Sequence, residues 1–276
     1  MRCSRAQEML NFAARGLLIG FMLGVSAAAA VAHEFWIAPD RYKIDAGQPL
    51  VAALLTGDTF DGYTIPYIPT DFKRFDVVLG DKTHKVTGRM GDDPALNMAV
   101  AGTGLGVIVH QTSGFFIEYK EPGEFEGLLR DKGVLHVLDE HRKRGLPETG
   151  FRERFIRFAK CLVAVDHGRG RDAETGLETE FVAGLSPYAD DVSGGMPFQL
   201  LYQHKPRADV QVEVFIRAPE GEVSIEKLRT DQEGRVTVPA KPGHEYLLSS
   251  VVFRPLEGED PVWESLWAQF TYIIPP

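Results

Sequence analysis

The stretch "AVAHEFW", residues 30–36, places small residues three and one positions before His33. Cleavage after Ala32 would make His33 the first residue of a mature chain. An N-terminal histidine offers two nitrogens from one residue, since its α-amine and its imidazole Nδ1 close a chelate ring on a single metal ion. With ordinary pKa values near 8 and 6.5, both can be free of protons around neutral pH. Nitrogen donors in a tetragonal array suit Cu(II) or Ni(II), and a third nitrogen from another histidine would complete a T-shaped site. His110, which alternates with Ile108 on an expected strand, and His136 are the candidate partners. His136 and His141 sit five residues apart on an expected helix, about 140° around it, and so cannot easily chelate together. His136 and Glu140, at i and i+4, share a face. Glu34 and Glu140 are candidates to orient the metal-bound imidazoles. His84, His167, His204 and His244 stand beside lysine, glycine or turn residues and read as solvated.

The cut itself is expected from what precedes it. Arg2, Arg5 and Arg15 face a single Glu8, an apolar run covers residues 16–25, and small residues fill 26–32. That is the three-part pattern of a secretory signal peptide over residues 1–32. The apolar run is short for a membrane span, and no second run of about 18 apolar residues follows. A periplasmic or secreted chain with no membrane anchor is expected. Cys3 and Cys161 are the only cysteines, so cleavage leaves one, which can form no intramolecular disulfide. Cys161 lies in the apolar "AKCLVAV" and reads as a buried, inert thiol. The formal charge of −9, with no basic stripe, argues against nucleic acid as a partner.

Known catalytic signatures are missing. There is no HExxH, GxSxG or P-loop. "AGTGLG" imitates a dinucleotide loop, but the "VIVHQ" that follows reads as a strand, which removes the helix N-terminus that would hold phosphate. Asp92-Asp93 and Asp190-Asp191 read as loops.

The elements that must position these residues are mainly β. Short segments broken by turns run from Trp36 to Tyr119, including a hairpin in "RFDVVLGDKTHKV" and two strands around Ser113-Gly114. In "EFEGLLRDKGVLHVLDEHRKRG", Phe125, Leu128 and Leu129 share a helical face, Gly133 interrupts, and Val134, Leu135 and Leu138 resume it. A second helix is expected from Pro147, because Phe151, Phe155, Phe158 and Ala159 fall at spacings of three and four. From about Phe181 strands return. "RTDQEGRVTVP" reads as a hairpin around Gly234, and Trp263 and Trp267 are expected to pack the last strand. The expected organisation is a β-sandwich at 33–120, a helical insertion at 121–160 and a second β-sandwich at 161–276.

"AHEFWIAPDRYKIDAGQPL", "GVLHVLDEHRKRG", "FRERFIRFAKCLV", "TDQEGRVTVP" and "WESLWAQFTY" together resemble the DUF4198 family, exported bacterial proteins some of which accompany nickel and cobalt uptake transporters. The resemblance implies two β-sandwiches, the second similar to carboxypeptidase-regulatory or transthyretin-like modules, and a periplasmic role near divalent metal. Among the residues it supports His33 and His136 most. The expected function is therefore binding of nickel, cobalt or copper, accessory to a membrane metal transporter. Two other classes stay open: a mono-copper oxidase built on the same histidine chelate, and a protein- or glycan-binding module that needs no metal and uses an edge strand such as the last one.

Overall fold

The computed structural model describes residues 34–258 and 260–276. The expected signal peptide and His33 lie outside the described residues. The first half of the chain forms β1 (Glu34–Pro39), β2 (Lys43–Ile44), β3 (Pro49–Asp58), β4 (Asp61–Ile65), β5 (Phe72–Leu79), β6 (Lys82–Lys85), β7 (Leu96–Ala99), β8 (Gly104–Thr112) and β9 (Phe115–Tyr119). Two helices follow, α1 (Glu124–Asp131) and α2 (His136–Lys143). The rest is β10 (Phe151–Val165), β11 (Thr179–Ala183), β12 (Met196–Tyr202), β13 (Lys205–Pro206), β14 (Gln211–Arg217), β15 (Val223–Arg229), β16 (Arg235–Val238), β17 (Glu245–Pro255) and β18 (Trp263–Ile273).

A large sheet runs in the order β15-β14-β17-β18-β10-β8-β5-β6, with β2 and β9 also pairing β10. It takes strands from both halves of the sequence. Side chains alternate across a strand, and here the two parities serve two different cores. On β8 and β10, Leu105, Val107, Val109, Phe158 and Leu162 face a core shared with Phe181, Met196 and Phe198 of the β11-β12-β13-β16 sheet. The intervening Ile108, Ala159, Cys161 and Val163 face the opposite way, onto Phe35, Ile37 and Leu54 of the β1-β3-β4-β7 sheet. The molecule is thus mainly β, with sheets stacked face to face on both sides of a common middle layer.

The two helices cover the rest of one face. Phe125, Leu128 and Leu129 of α1 and Val137 of α2 pack on Phe151, Val251, Trp263 and Trp267. Glycine makes the break between them: Gly133, at φ +70°, ends the first helical run, and Val134 N–H returns to the Leu129 carbonyl at 2.8 Å.

Three local expectations are corrected. The segment from Phe151 to Ala159 is a strand and not a helix, and β10 continues through residue 160, where the helical insertion was expected to end. "RTDQEGRVTVP" holds its tight turn, since Asp231 N–H bonds Arg235 O at 2.8 Å and Gly234 has φ +70°. Its flanking strands do not pair: β15 joins β14, and β16 joins β12 in another sheet. The last strand, β18, is not an edge, for it lies between β17 and β10.

Candidate functional site

A cleft of about 430 Å3 opens between α1, the end of β3 and the β14-β15 hairpin. Its charged lining is Glu34, Asp58, Glu124, Asp131 and Glu213 against Lys132 and Lys227, with Leu128, Phe215 and Ile225 as apolar wall. Carboxylates outnumber cations, so the cleft attracts positive charge.

Each group is placed by its element. β1 carries Glu34 at its start, in register with Gly57 of β3. Gly57 and Gly62 are opposed across the β3-β4 turn, where a Cβ on Gly57 would lie 2.0 Å from the Asp61 carbonyl oxygen. Only glycine allows that approach, and it sets Asp58 at the cleft. Lys132 caps the C-terminus of α1 through its backbone N–H, and its ammonium reaches Glu34 Oε1 at 2.8 Å and Glu213 Oε2 at 2.5 Å. Lys227 Nζ bonds the Asp131 carbonyl at 2.8 Å and lies 3.7 Å from Glu213. Burial pulls the Lys132 pKa down, but the two carboxylates reverse this and leave it raised, so the ammonium persists.

Behind the cleft the polar chain continues into the protein. Arg157, buried on β10, lies over the Trp267 ring at 4.2 Å, and Lys132 over the same ring at 5.5 Å. Burial lowers the Arg157 guanidinium to about 10, with Glu34 and Glu153 acting against it. Glu153 accepts from Tyr119 OH at 2.6 Å and from Ser265 Oγ, which in turn accepts from Trp267 Nε1 at 2.8 Å. Burial pushes the Glu153 carboxyl up to about 7, although both hydroxyls and Arg157 favour its anion.

Of the expected metal-site residues, His33 lies outside the described residues. Glu34 is buried and committed to Lys132. His110 is fully buried, stacked on Phe35 at 5.3 Å and edge-on to Phe72 and Phe75 at 4.6 and 4.9 Å. Neither of its ring nitrogens has a hydrogen-bond partner among the described residues, and burial lowers it to about 3, so the ring is neutral. His136 and Glu140 are exposed on α2. Among the described residues no three of His, Cys, Asp and Glu are grouped to hold a metal ion. Cys161 is buried and its thiol is pushed up by burial.

Lys132, Glu213, Arg157 and Glu153 escaped the reading of the sequence. Glu213 alternates with Val212 and Val214, which suggests a solvated face, and Lys132 at the end of α1 together with the β1-β3-β4-β7 sheet covers that face. The usable signal is a charge flanked by aromatics, as in "FRERF" and "FIRF".

The chain belongs to the DUF4198 family: residues 30–253 match the family described as "Domain of unknown function (DUF4198)". No curated protein matches it. Among solved structures it is similar to one titled "Crystal structure of tetra-tandem repeat in extending region of large adhesion protein", at 8% identity and a TM-score of 0.19, over 88% of this chain and 50% of that one. The chain thus spans half the length of that structure, and so low a score carries no argument. No helix among the described residues is long and apolar enough to cross a membrane.

Proposed function

We propose that the chain is a periplasmic protein that binds a divalent transition metal, nickel, cobalt or copper, and hands it to a membrane transporter. His33, made N-terminal by cleavage after Ala32, chelates through its amine and Nδ1. The observation that carries this reading is the position of Glu34: the residue covalently joined to His33 lines a cleft in which carboxylates outnumber ammonium groups. Such a cleft draws cations toward the amine and imidazole. Glu34 is held by Lys132 and serves to fix the chain's entry beside the cleft, not to ligate. The next nitrogen comes from His136, exposed on α2, or from His110, whose neutral ring is the donor form but which is buried away from the cleft lining.

The test is titration of the chain beginning at His33 with Cu(II), Ni(II) and Co(II), followed by native mass spectrometry and calorimetry. One ion per chain is expected, and a variant with a glycine added before His33 loses at least tenfold in affinity. Equal affinity of the two forms overturns the reading.

A further inference from the structure

On the face of the large sheet away from the cleft, Lys160 of β10 is buried to 1% exposure with two carboxylates. Its Nζ lies 2.9 Å from both oxygens of Asp172 and 3.1 Å from Glu180 Oε2. The Asp172 carboxyl carbon, between those oxygens, is therefore within about 3.5 Å of Nζ, the separation of a near-attack pair. The Phe270 ring lies 5.6 Å from Nζ, and the surrounding Phe158, Phe181 and Leu162 exclude water.

The two carboxylates have different surroundings. Glu180 accepts backbone N–H groups from Thr175, Gly176 and Leu177 at 2.9–3.2 Å and the Thr175 hydroxyl at 2.9 Å. That set fixes the carboxyl group in place, with Oε2 held 3.1 Å from Lys160 Nζ. Asp172 receives one backbone N–H on each oxygen, Ala173 on Oδ1 and Ala183 on Oδ2, both at 2.9 Å. Burial raises its pKa against the pull of Lys160 and these donors, and the same donors are aimed where negative charge develops if the carbonyl is attacked.

We propose that Lys160 and Asp172 condense to an intramolecular amide, with Glu180 as proton carrier. A proton moves from the Lys160 ammonium to the Asp172 carboxylate, leaving a neutral amine beside a neutral acid. Nζ forms a bond to Asp172 Cγ, Glu180 takes a proton from Nζ and passes it to the departing hydroxyl, and the Cγ–O bond breaks. The products are one amide and one water, with Glu180 restored and no oxidant or co-reactant needed. The link joins β10 to the loop before β11, fastening the middle layer to the outer sheet in a chain whose described residues include a single cysteine. Lys132, also between two carboxylates, is the internal control: it borders the open cleft and contacts each carboxylate through one oxygen.

The test is intact mass of the folded, purified full chain under denaturing conditions, counted from its measured N-terminus. A mass lower by one water, with a digest peptide joining residues 160 and 172, is expected. Lys160→Met and Glu180→Gln should both give unlinked chains. The unlinked mass in the wild-type protein after prolonged incubation overturns the proposal whether or not the variants fold. Full linkage in Glu180→Gln overturns the role of Glu180. Neither measurement involves metal, so the outcome is independent of the proposed function.

Discussion

The indole Nε1 of Trp263 donates to Nδ1 of His141 at 3.0 Å, and Nε2 of His141 lies 2.8 Å from the carbonyl oxygen of Pro147. The first contact requires Nδ1 to be bare, so the proton sits on Nε2 and donates to Pro147. One neutral tautomer thereby ties α2 to the last strand and to the turn that leads into β10. Burial lowers the pKa of this ring, in agreement with a neutral state.

Replacing His141 by alanine leaves the Trp263 N–H without its acceptor under the helices. A loss of about 2–4 kcal/mol is expected, read as a lower urea midpoint. An unchanged midpoint would show that the helical cap is held by Phe125 and Leu129 alone.

His110 makes the protein sensitive to acid. Its folded pKa of about 3 lies below the unfolded value of 6.5, so the stability tied to its neutral ring is complete above pH 6.5 and is lost as the pH falls toward 3. Between pH 7 and pH 4 the loss is about 3 kcal/mol. His110→Phe, in a pocket already made of phenylalanines, should remove that part of the slope in urea titrations at the two pH values.

Glu153 acts in the opposite direction. Its folded pKa of about 7 lies above the ordinary 4.5, so its contribution is complete below pH 4.5 and is lost as the pH rises through 7. Glu153→Gln should flatten the fall between pH 4.5 and 8, worth about 3 kcal/mol. A steeper fall in the variant would mean that Tyr119 and Ser265 require the carboxylate.

Lys132→Met leaves Glu34 and Glu213 facing each other, both nearly buried, with their shared ammonium gone. Removal of one partner from a buried ion pair costs about 3–5 kcal/mol. Calorimetric melting should show it. The triple change that also converts Glu34 and Glu213 to glutamine should recover most of the loss.

Much of the β architecture was legible from turn residues and alternation, as in the β5-β6 hairpin and the final strand. The failure at residues 151–159 has a physical cause. β10 lies in the middle layer, so Phe151 and Phe155 serve the helical side while Phe158 serves the other core, and a strand buried on both faces shows no two-residue period. Its arginines reinforced the helical reading, yet Arg154 pairs with Glu264 and Arg157 lies on Trp267. The hairpin misreading has a related origin: a tight turn reports the reversal of the chain, not which sheet receives the second strand. The cleft could not be read at all, because its walls come from residues 34, 58, 132 and 213, which only the tertiary fold brings together.

The parallel pairing of β10 with β18 sets Glu153 beside Trp263 and Cys161 beside Thr271, and Thr271 also donates to the carbonyl of Ile37 on β1. The strand that comes after all the others described therefore fills the centre of the large sheet. Until it arrives, the sequence that precedes it has an open seam on its longest strand, and the gain from closing that seam comes only after a large loss of loop entropy. Assembly must wait for β18, and a chain cut before that strand would have no middle to build upon.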